Sequence, residues 1–187
     1  MKEELSKYSN DWTAITKAEA NQLERNTRLQ NECNIWHKER QKRITASHFG
    51  TIMNRKKDCN ESFLQNTFKN SNFKSKPTSY GQVNEKVAKT IYIKKRGCHL
   101  HSIGLVVNPL CPFLGASPDG VVCKDGQSGL IEIKCPYAAR DFTVREAIEK
   151  VKLFCLEIDE GEDQISLKRS HNYFYQVQGQ IMITGAP

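Results

Sequence analysis

Apolar positions recur at helical spacing in several stretches of the chain. Val83, Val87 and Ile91 lie four residues apart, and Gly97 follows where a helix of this length needs a C-terminal cap. This spacing predicts a helix over residues 80–97. Comparable patterns predict further helices over residues 1–33, 143–154 and 173–184.

Three shorter apolar runs are typical of strands, and they cover residues 101–108, 114–122 and 129–137. The Asp-Gly pair at 125–126 separates the last two runs and is a strong hairpin-turn signal. If this pair forms the turn, the numbers of facing residues sum to 251, and Asp119 faces Glu132. Alternation along the strand then places Lys134 on the same face as Glu132. A bulge at residues 128–129 would shift this pairing by one residue.

The remaining segments are less regular. A compact region over residues 36–53 has as its apolar anchors Trp36, Ile44, Phe49 and Ile52. Residues 54–79 are polar and predict a long loop or two short helices, and residues 157–164 predict an acidic loop. Helices and strands in a chain of 187 residues favour one domain of the α/β class.

Composition adds a charge asymmetry to this picture. Residues 1–100 carry 20 basic and 10 acidic side chains, whereas residues 101–187 carry 8 and 11. The basic half favours a polyanion partner, although an ordinary solvated surface explains it equally well, and the acidic half allows a cation site. Candidates for phosphate contacts are the basic runs at residues 38–43, 55–57 and 94–96.

The sequence also bears on compartment and on zinc. No apolar run approaches the roughly 20 residues of a membrane span, and the N-terminus lacks the apolar core of a signal peptide. Seven scattered cysteines are typical of reduced thiols in an intracellular protein, nuclear or cytoplasmic. Zinc-type ligands occur at Cys98, His99, His101 and Cys111, but their spacing matches no standard site, so zinc is a minor alternative.

The predicted hairpin brings two carboxylates and a lysine together. Facing residues such as Asp119 and Glu132 have Cβ atoms about 4.5–5.5 Å apart, which is unfavourable for like charges unless a cation lies between them. Carboxylate oxygens select Mg²⁺, with Mn²⁺ as the alternative, and Lys134 could orient a water or stabilise developing charge. The competing interpretation is an exposed Glu132–Lys134 ion pair, with Asp119 capping a turn.

These residues resemble a known signature. Asp119 followed by Glu132-Ile133-Lys134 is similar to the motif of the PD-(D/E)xK nuclease superfamily, and the chain resembles the YqaJ-type, lambda exonuclease-like viral recombinase domains. Five blocks occur in the order found in that family, namely Trp36–Ser47, Tyr80–Glu85, Ser117–Gly120, Ile131–Phe142 and Tyr175–Gln178. Each block alone is a weak signal, whereas five in order are specific.

The resemblance implies a metal centre. Its ligands would be the carboxylates of Asp119 and Glu132 together with the backbone carbonyl of Ile133, and Mg²⁺ or Mn²⁺ would be the cofactor. Glu85 would be the helix carboxylate that joins the centre. The local sequence favours a simpler interpretation of Glu85, which is an i,i+4 surface pair with Lys89.

The resemblance also implies roles for residues around the metal. Lys134 would be the catalytic lysine, and Gln176 would help to place the attacking water. Arg40 and Ser47 match positions that hold a terminal DNA phosphate, for which the planar donors of arginine are well suited. The local alternatives are a polar helix face shared by Gln176 and Gln180, a solvated basic helix around Arg40, and an N-cap role for Ser47.

The fold and activity implied by the family complete the expectation. The fold would be a restriction-endonuclease-like core, a central mixed β-sheet flanked by helices. Residues 1–33 would form a helical extension and residues 34–187 the nuclease domain. The chain would be a Mg²⁺-dependent exonuclease that digests double-stranded DNA ends from 5′ to 3′ in recombination or repair. Its partners would be a second copy of itself or a single-strand-annealing protein.

Two departures from the family pattern support a rival interpretation. Residues 142–175 form a longer segment than in the phage enzyme, and the C-terminal strands that complete the family's sheet are missing after residue 187. The alternative is therefore a catalytically inactive DNA-binding or protein-interaction module derived from the nuclease. The intact set of Asp119, Glu132 and Lys134 favours the enzyme.

Overall fold

The computed structural model of the chain describes residues 14–58, 60–68, 75–159, 161 and 163–186. The helices in these ranges are α1 Lys17–Asn26, α2 Asn34–Gln41, α3 Ala46–Met53, α4 Glu61–Phe68, α5 Lys76–Arg96, α6 Val144–Lys150 and α7 Asn172–Thr184. Short 3-10 turns lie at Gln30–Glu32 and Tyr137–Ala139. The strands are β1 Ile44–Thr45, β2 His99–His101, β3 Leu114–Gly115, β4 Gly120–Lys124, β5 Gln127–Ile131, β6 Leu156–Ile158 and β7 Ile165–Leu167.

The strands form three small sheets in this part of the chain. An antiparallel sheet has the order β2-β4-β5, β1 pairs with β3 in parallel, and β6 pairs with β7 in a hairpin. A single bridge also joins Val106 to Ala116. Helices accompany both parallel and antiparallel pairs, so the predicted mixed α/β class is confirmed.

The β4–β5 hairpin has the predicted turn and register. Lys124 pairs with Gln127 and Gly120 pairs with Ile131, without a bulge between them. Asp125 and Gly126 both have positive φ, 49° and 78°, as a two-residue turn of the I′ type requires. Because Asp and Gly tolerate this backbone better than other residues, the local sequence was sufficient to fix the register.

Several predicted strands are too long. β5 ends at Ile131, whereas the apolar run continues to residue 137; beyond the strand, the Ile133 amide donates to the Asp119 carboxylate instead of to a backbone carbonyl. The predicted strand at 101–108 is reduced to β2 and the Val106 bridge, and the run at 114–122 is divided between β3 and β4. The predicted acidic loop at 157–164 is flanked by β6 and β7, and its residues 160 and 162 lie outside the described ranges.

Helix α5 ends where the sequence predicts, but it begins at Lys76, before the predicted start at residue 80. The Ser75 hydroxyl accepts a hydrogen bond from the Thr78 amide, and Gly97 adopts a left-handed conformation with φ of 58° as the C-terminal cap. The apolar positions of its face are solvent-exposed, however, at 67% for Val83, 51% for Val87 and 49% for Ile91. Helical spacing thus identified the element without identifying a buried face.

Helices α3 and α7 pack at very short range through two glycines. A Cβ atom at Gly50 would lie 2.4 Å from the Cα of Asn172, and one at Gly179 would lie 2.6 Å from the ring of Phe49. Ala46, on the same side of α3, belongs to a core cluster that includes Ile183 of α7. Two residues without side chains therefore allow α7 to approach α3 closely enough to hold its polar side chains against the end of β5.

Helix α1 packs into the same body as the strands. Its start is fixed by a capping box in which Thr16 and Glu19 bond each other's backbone amides. Leu23 packs in a core cluster with Leu105, whose amide donates to the Thr27 hydroxyl at 2.8 Å. Residues 1–13 of the predicted N-terminal helix lie outside the described ranges, and the domain boundary at residue 33 stays a prediction.

The remaining elements agree with the sequence in outline. α7 confirms the helix predicted over residues 173–184, and α6 confirms the one predicted over 143–154 only as far as Lys150. α4 lies in the segment for which short helices were one of two options. Cys59 and residues 69–74 of that segment lie outside the described ranges. None of the helices in the described ranges has the length and apolar character of a membrane span.

Candidate active site

The end of the β4–β5 hairpin brings together the acidic residues that the register predicts to face each other. Asp119 directly precedes β4, Glu132 directly follows β5, and the Asp119 amide donates to the Ile131 carbonyl at 3.1 Å. One carboxylate oxygen of Asp119 accepts the Ile133 amide at 2.6 Å. This hydrogen bond holds the chain beyond β5 beside Asp119, with the Glu132 carboxylate near enough for its charge to act on Asp119.

Glu132 is the most heavily bonded side chain of the site. Its Oε1 accepts from Gln176 Nε2 at 2.6 Å and from Lys134 Nζ at 2.5 Å, and its Oε2 accepts from Gln180 Nε2 at 2.7 Å. The Glu132 side chain is only 12% exposed. Hydrogen bonds from several donors fix the orientation of a carboxylate, so the Glu132 side chain is held in a single orientation.

Lys134 is held in place from two sides. Its ammonium group bonds Glu132 and lies 4.8 Å from the centroid of the Tyr173 ring, a cation–π distance. The Lys134 side chain is 30% exposed. The predicted Glu132–Lys134 ion pair is therefore present, but the half-buried acid places it within the site rather than on an open strand face.

Asp119 lies in a predominantly negative environment. Burial and the negative charge of Glu132 raise the pKa of Asp119 to about 6, and Glu85 raises it further; the Ile133 amide and Lys89 act in the opposite direction. Burial and the charges of Glu85 and Asp119 raise the pKa of the Cys135 thiol. A divalent cation would relieve this repulsion, which is the electrostatic condition that a metal site requires.

The oxygen atoms available at this site suit Mg²⁺ better than a metal ion that takes all of its ligands from protein side chains. Within the described residues, no three His, Cys, Asp or Glu side chains are grouped to hold a metal ion. Mg²⁺ is commonly bound by one or two carboxylates and several waters, so the carboxylates of Asp119 and Glu132 would be sufficient protein ligands for it. Glu85 bonds Lys89 at 2.7 Å, as its local sequence favours, and it contributes negative charge to Asp119 from that position.

The alternative zinc site is not formed. Cys98 is buried, whereas the two histidines lie on the short strand β2, and all four candidate residues belong to the described chain. No group of three such side chains that could hold a metal ion is found among the described residues, so the structure does not bring the four zinc-type ligands together. The six described cysteines, all outside disulfides, agree with the prediction of reduced thiols.

Arg40 and Ser47, which the resemblance implies as phosphate ligands, lie together. Arg40 Nη2 is 3.3 Å from Ser47 Oγ, and the guanidinium stacks over the Trp36 ring at 4.2 Å. Neither contact carries a negative charge. Burial lowers the pKa of Arg40 to about 10, and the carboxylate of Glu132 opposes this shift. The guanidinium is a desolvated cation in electrostatic reach of the acidic site, which is a favourable arrangement for binding an anion.

Other polar residues around Ser47 were not identified from the sequence. Buried Thr45 places its hydroxyl 2.8 Å from Ser47 Oγ and 3.2 Å from His48 Nδ1. Burial and the charge of Arg40 lower the pKa of His48. The sequence signal for this group was three polar residues, Thr45, Ser47 and His48, within four positions. Only the tertiary structure shows that they lie near Arg40.

One predicted phosphate contact is incorrect. Arg43, in the basic run at 38–43, is only 4% exposed and forms an ion pair with Glu39 at 2.5 Å. Its Nε donates to the carbonyl of Pro112 at 2.9 Å. These contacts make Arg43 a structural tie between α2 and the segment before β3, so it is not available to DNA.

We expect the free energy of unfolding to depend on pH through Asp119. Because its folded-state pKa is raised above the ordinary 3.8 to about 6, the proton stabilises the metal-free fold below pH 4, and this stabilisation disappears as pH rises through 6. The loss should be about 1–2 kcal/mol after allowance for solvent screening. Unfolding in urea with EDTA at pH 4.5 and 7.5 measures it.

Asp119→Asn is the matched control for that measurement, because an amide cannot titrate. The free energy of unfolding of this variant should not show the loss. The stability of the variant relative to wild type should therefore increase from pH 4.5 to pH 7.5. Parallel pH profiles for the two proteins would contradict the assignment.

Comparison with known proteins identifies a family and similar solved structures. The sequence model described as YqaJ-like viral recombinase domain matches residues 35–187. Among solved structures, LHK-Exo in complex with dAMP is 26% identical over 80% of this chain and 67% of its own, with a TM-score of 0.53. The alkaline exonuclease LHK-Exo from Laribacter hongkongensis matches at 25% identity, with a TM-score of 0.52, over 81% and 68% of the two chains.

A more distant structure shares the fold. The SOX–DNA complex aligns with 91% of this chain and 56% of its own, at 16% identity and a TM-score of 0.55. The chain thus spans about two thirds of the length of LHK-Exo and little more than half of SOX. A search of curated proteins finds no significant match.

Proposed function

Given that the chain belongs to the family of YqaJ-like viral recombinase domains, we propose that it is a metal-dependent deoxyribonuclease. Its substrate would be the end of double-stranded DNA, digested from 5′ to 3′ by hydrolysis of phosphodiester bonds. A role in DNA recombination follows from the family description, and the similarity to an alkaline exonuclease favours action at ends.

The observation that carries this proposal is the set of groups that surrounds Glu132. A carboxylate beside Asp119 bonds Lys134, Gln176 and Gln180 simultaneously, and its charge reaches Arg40. A module that only bound DNA would gain nothing from two close carboxylates, because they repel phosphate. With Mg²⁺ between them, the same carboxylates attract phosphate.

Each residue would contribute a distinct step to hydrolysis. A divalent cation, when bound, would neutralise phosphate charge and lower the pKa of a water. Asp119, Glu132 and the Ile133 carbonyl would hold it, and Mn²⁺ could replace Mg²⁺. Lys134, fixed by Glu132 and Tyr173, would donate N–H to the attacking water or to a phosphate oxygen. Gln176 would help to align the same water.

The chemistry is a simple displacement at phosphorus. The oxygen of water bonds to phosphorus, the P–O3′ bond breaks, and the leaving O3′ takes up a proton while the water loses its protons to solvent. The product is a 5′-mononucleotide, and the shortened strand begins with a new 5′-phosphate. Arg40 and Ser47 would hold that phosphate and so present the next bond to Lys134.

We test the function with linear double-stranded DNA labelled at either end, with Mg²⁺ or with EDTA. Immediate release of the 5′ label as a mononucleotide in Mg²⁺ only, and its loss in Asp119→Asn, would support the proposal. Digestion of closed circular DNA would indicate an endonuclease. A folded chain that binds DNA but releases no nucleotide in Mg²⁺ or Mn²⁺ would favour the inactive binding module.

We expect Arg40→Ala to reduce the preference for 5′-phosphorylated ends. A charge-assisted bond to phosphate contributes about 1.5–3 kcal/mol, so kcat/KM on 5′-phosphorylated DNA should fall about 10- to 100-fold. The fall on 5′-hydroxyl ends should be much smaller. Arg40→Lys, which keeps the charge without the planar fork, should recover part of the loss. Equal losses on both kinds of end would contradict a phosphate role.

A further inference from the structure

We propose that Gln180 is a positioning residue that directs the Oε2 atom of Glu132 toward the metal. Neither the family signature nor the sequence blocks assign it a role, and spacing alone places it on a polar helix face. This inference rests on the proposed function, because it concerns the metal at the same site. It names the oxygen that binds and the side chain that selects it.

The first observation is burial. Gln180 is 2% exposed and lies next to Gly179 on the side of α7 that faces the core, in the same helix as buried Ile183. Burying an amide costs about 1–3 kcal/mol unless it is hydrogen-bonded, and an apolar residue would fill this position without that cost. The amide therefore stands where packing alone would favour a hydrocarbon side chain.

The second observation is the division of donors between the two oxygens of Glu132. Oε1 accepts from both Gln176 and Lys134, which uses its two lone pairs. Oε2 accepts from Gln180 alone among the described residues, at 2.7 Å, so one of its lone pairs remains for a ligand. Because the Gln180 amide occupies one lone pair of Oε2, it determines where the other lone pair points.

The third observation is the rigidity of the helix that carries the amide. Close packing at Gly50 and Gly179 fixes α7 against α3. One turn further on, the Thr184 hydroxyl donates to the Gln180 carbonyl at 2.7 Å. Side chains that orient metal ligands act by such fixed geometry, and their loss typically weakens metal affinity 10- to 100-fold.

The experiment compares Gln180→Met with Gln178→Met. Gln178 is the same residue type two positions earlier on α7 but is exposed, so its variant controls for the substitution itself. Titration calorimetry with Mn²⁺ in the absence of DNA gives the metal dissociation constant directly, and thermal unfolding shows whether each variant is folded. Mg²⁺ dependence of nucleotide release provides a second readout.

We expect Mn²⁺ to bind Gln180→Met about 10- to 100-fold more weakly than wild type, and Gln178→Met with unchanged affinity. The Mg²⁺ concentration for half-maximal activity should rise in parallel, with recovery of kcat at saturating Mg²⁺. Gln180→Asn, which keeps an amide one methylene too short to reach Oε2, should show the same weakening and serves if the methionine variant is unstable.

Unchanged Mn²⁺ affinity in folded Gln180→Met or Gln180→Asn would overturn the inference and leave Gln180 a packing residue. That outcome is distinct from failure of the proposed function. If wild type neither binds Mn²⁺ nor releases nucleotides, the function itself fails, and the role of Gln180 fails with it.

Discussion

Lys134→Ala should lower kcat for nucleotide release by about 10²–10³ while leaving DNA and metal binding nearly unchanged. A positioned donor that stabilises charge mainly in the transition state is worth this much when it is removed. The structure supports the size of the effect, because Glu132 and Tyr173 already hold the ammonium group in place and little reorganisation is needed during reaction.

The measurement for this prediction is single-turnover release of the 5′ label at saturating Mg²⁺, beside Kd for the same DNA. Lys150→Ala is the matched control, since that lysine forms an exposed i,i+4 pair with Glu146 on α6. A proportional loss of DNA affinity and kcat/KM with unchanged kcat would assign Lys134 to general phosphate binding instead. Equal activity of Lys134→Ala and wild type would contradict its catalytic role.

Gly104→Ala should have the largest effect on stability, a loss of about 3 kcal/mol. A Cβ atom at Gly104 would lie 1.9 Å from the Glu24 carbonyl oxygen and 2.5 Å from the hydroxyl of Thr27. The nearer atom belongs to the backbone of α1, so the whole helix must move. That movement would break the Leu105–Thr27 hydrogen bond and expose Leu23.

Urea denaturation measures this loss, and Gly81→Ala provides the opposite control. Gly81 lies within α5 with no atom inside 4 Å of a Cβ, so alanine there should stabilise the fold by about 0.5–1 kcal/mol. The two substitutions add the same methyl group and differ only in surroundings. If Gly104→Ala lowers the free energy of unfolding no more than an ordinary surface substitution does, α1 can move aside at little cost and the prediction is wrong.

Local rules determined the elements that depend on local residues. The Asp125-Gly126 turn alone specified the β4–β5 register, because only a few residue types tolerate its backbone, and that register placed Asp119 beside Glu132. The end of α5 at Gly97 followed from the same backbone preference. Lys134 reaches Glu132 although both lie beyond the end of β5, because the two residues are close neighbours in the sequence.

Tertiary contacts decided which polar groups converge on those residues. The Glu132 carboxylate receives Gln176 and Gln180 from a helix more than forty residues away, and spacing could not distinguish that inner face from a solvated one. The approach depends on Gly50 and Gly179, whose meaning appears only when both helices are in place. Likewise, the basic run at 38–43 looked uniform, yet only packing separated Arg40 in the site from a buried, paired Arg43.

The sequence by itself determined the chemistry available to this protein, namely two carboxylates and a lysine ordered along one hairpin. The hairpin is a short-range structure whose pairing follows from chain direction and turn geometry. Only the tertiary structure decided how each charge is used, because desolvation and the distance between groups remote in sequence set the raised pKa of Asp119 and the fixed orientation of Glu132.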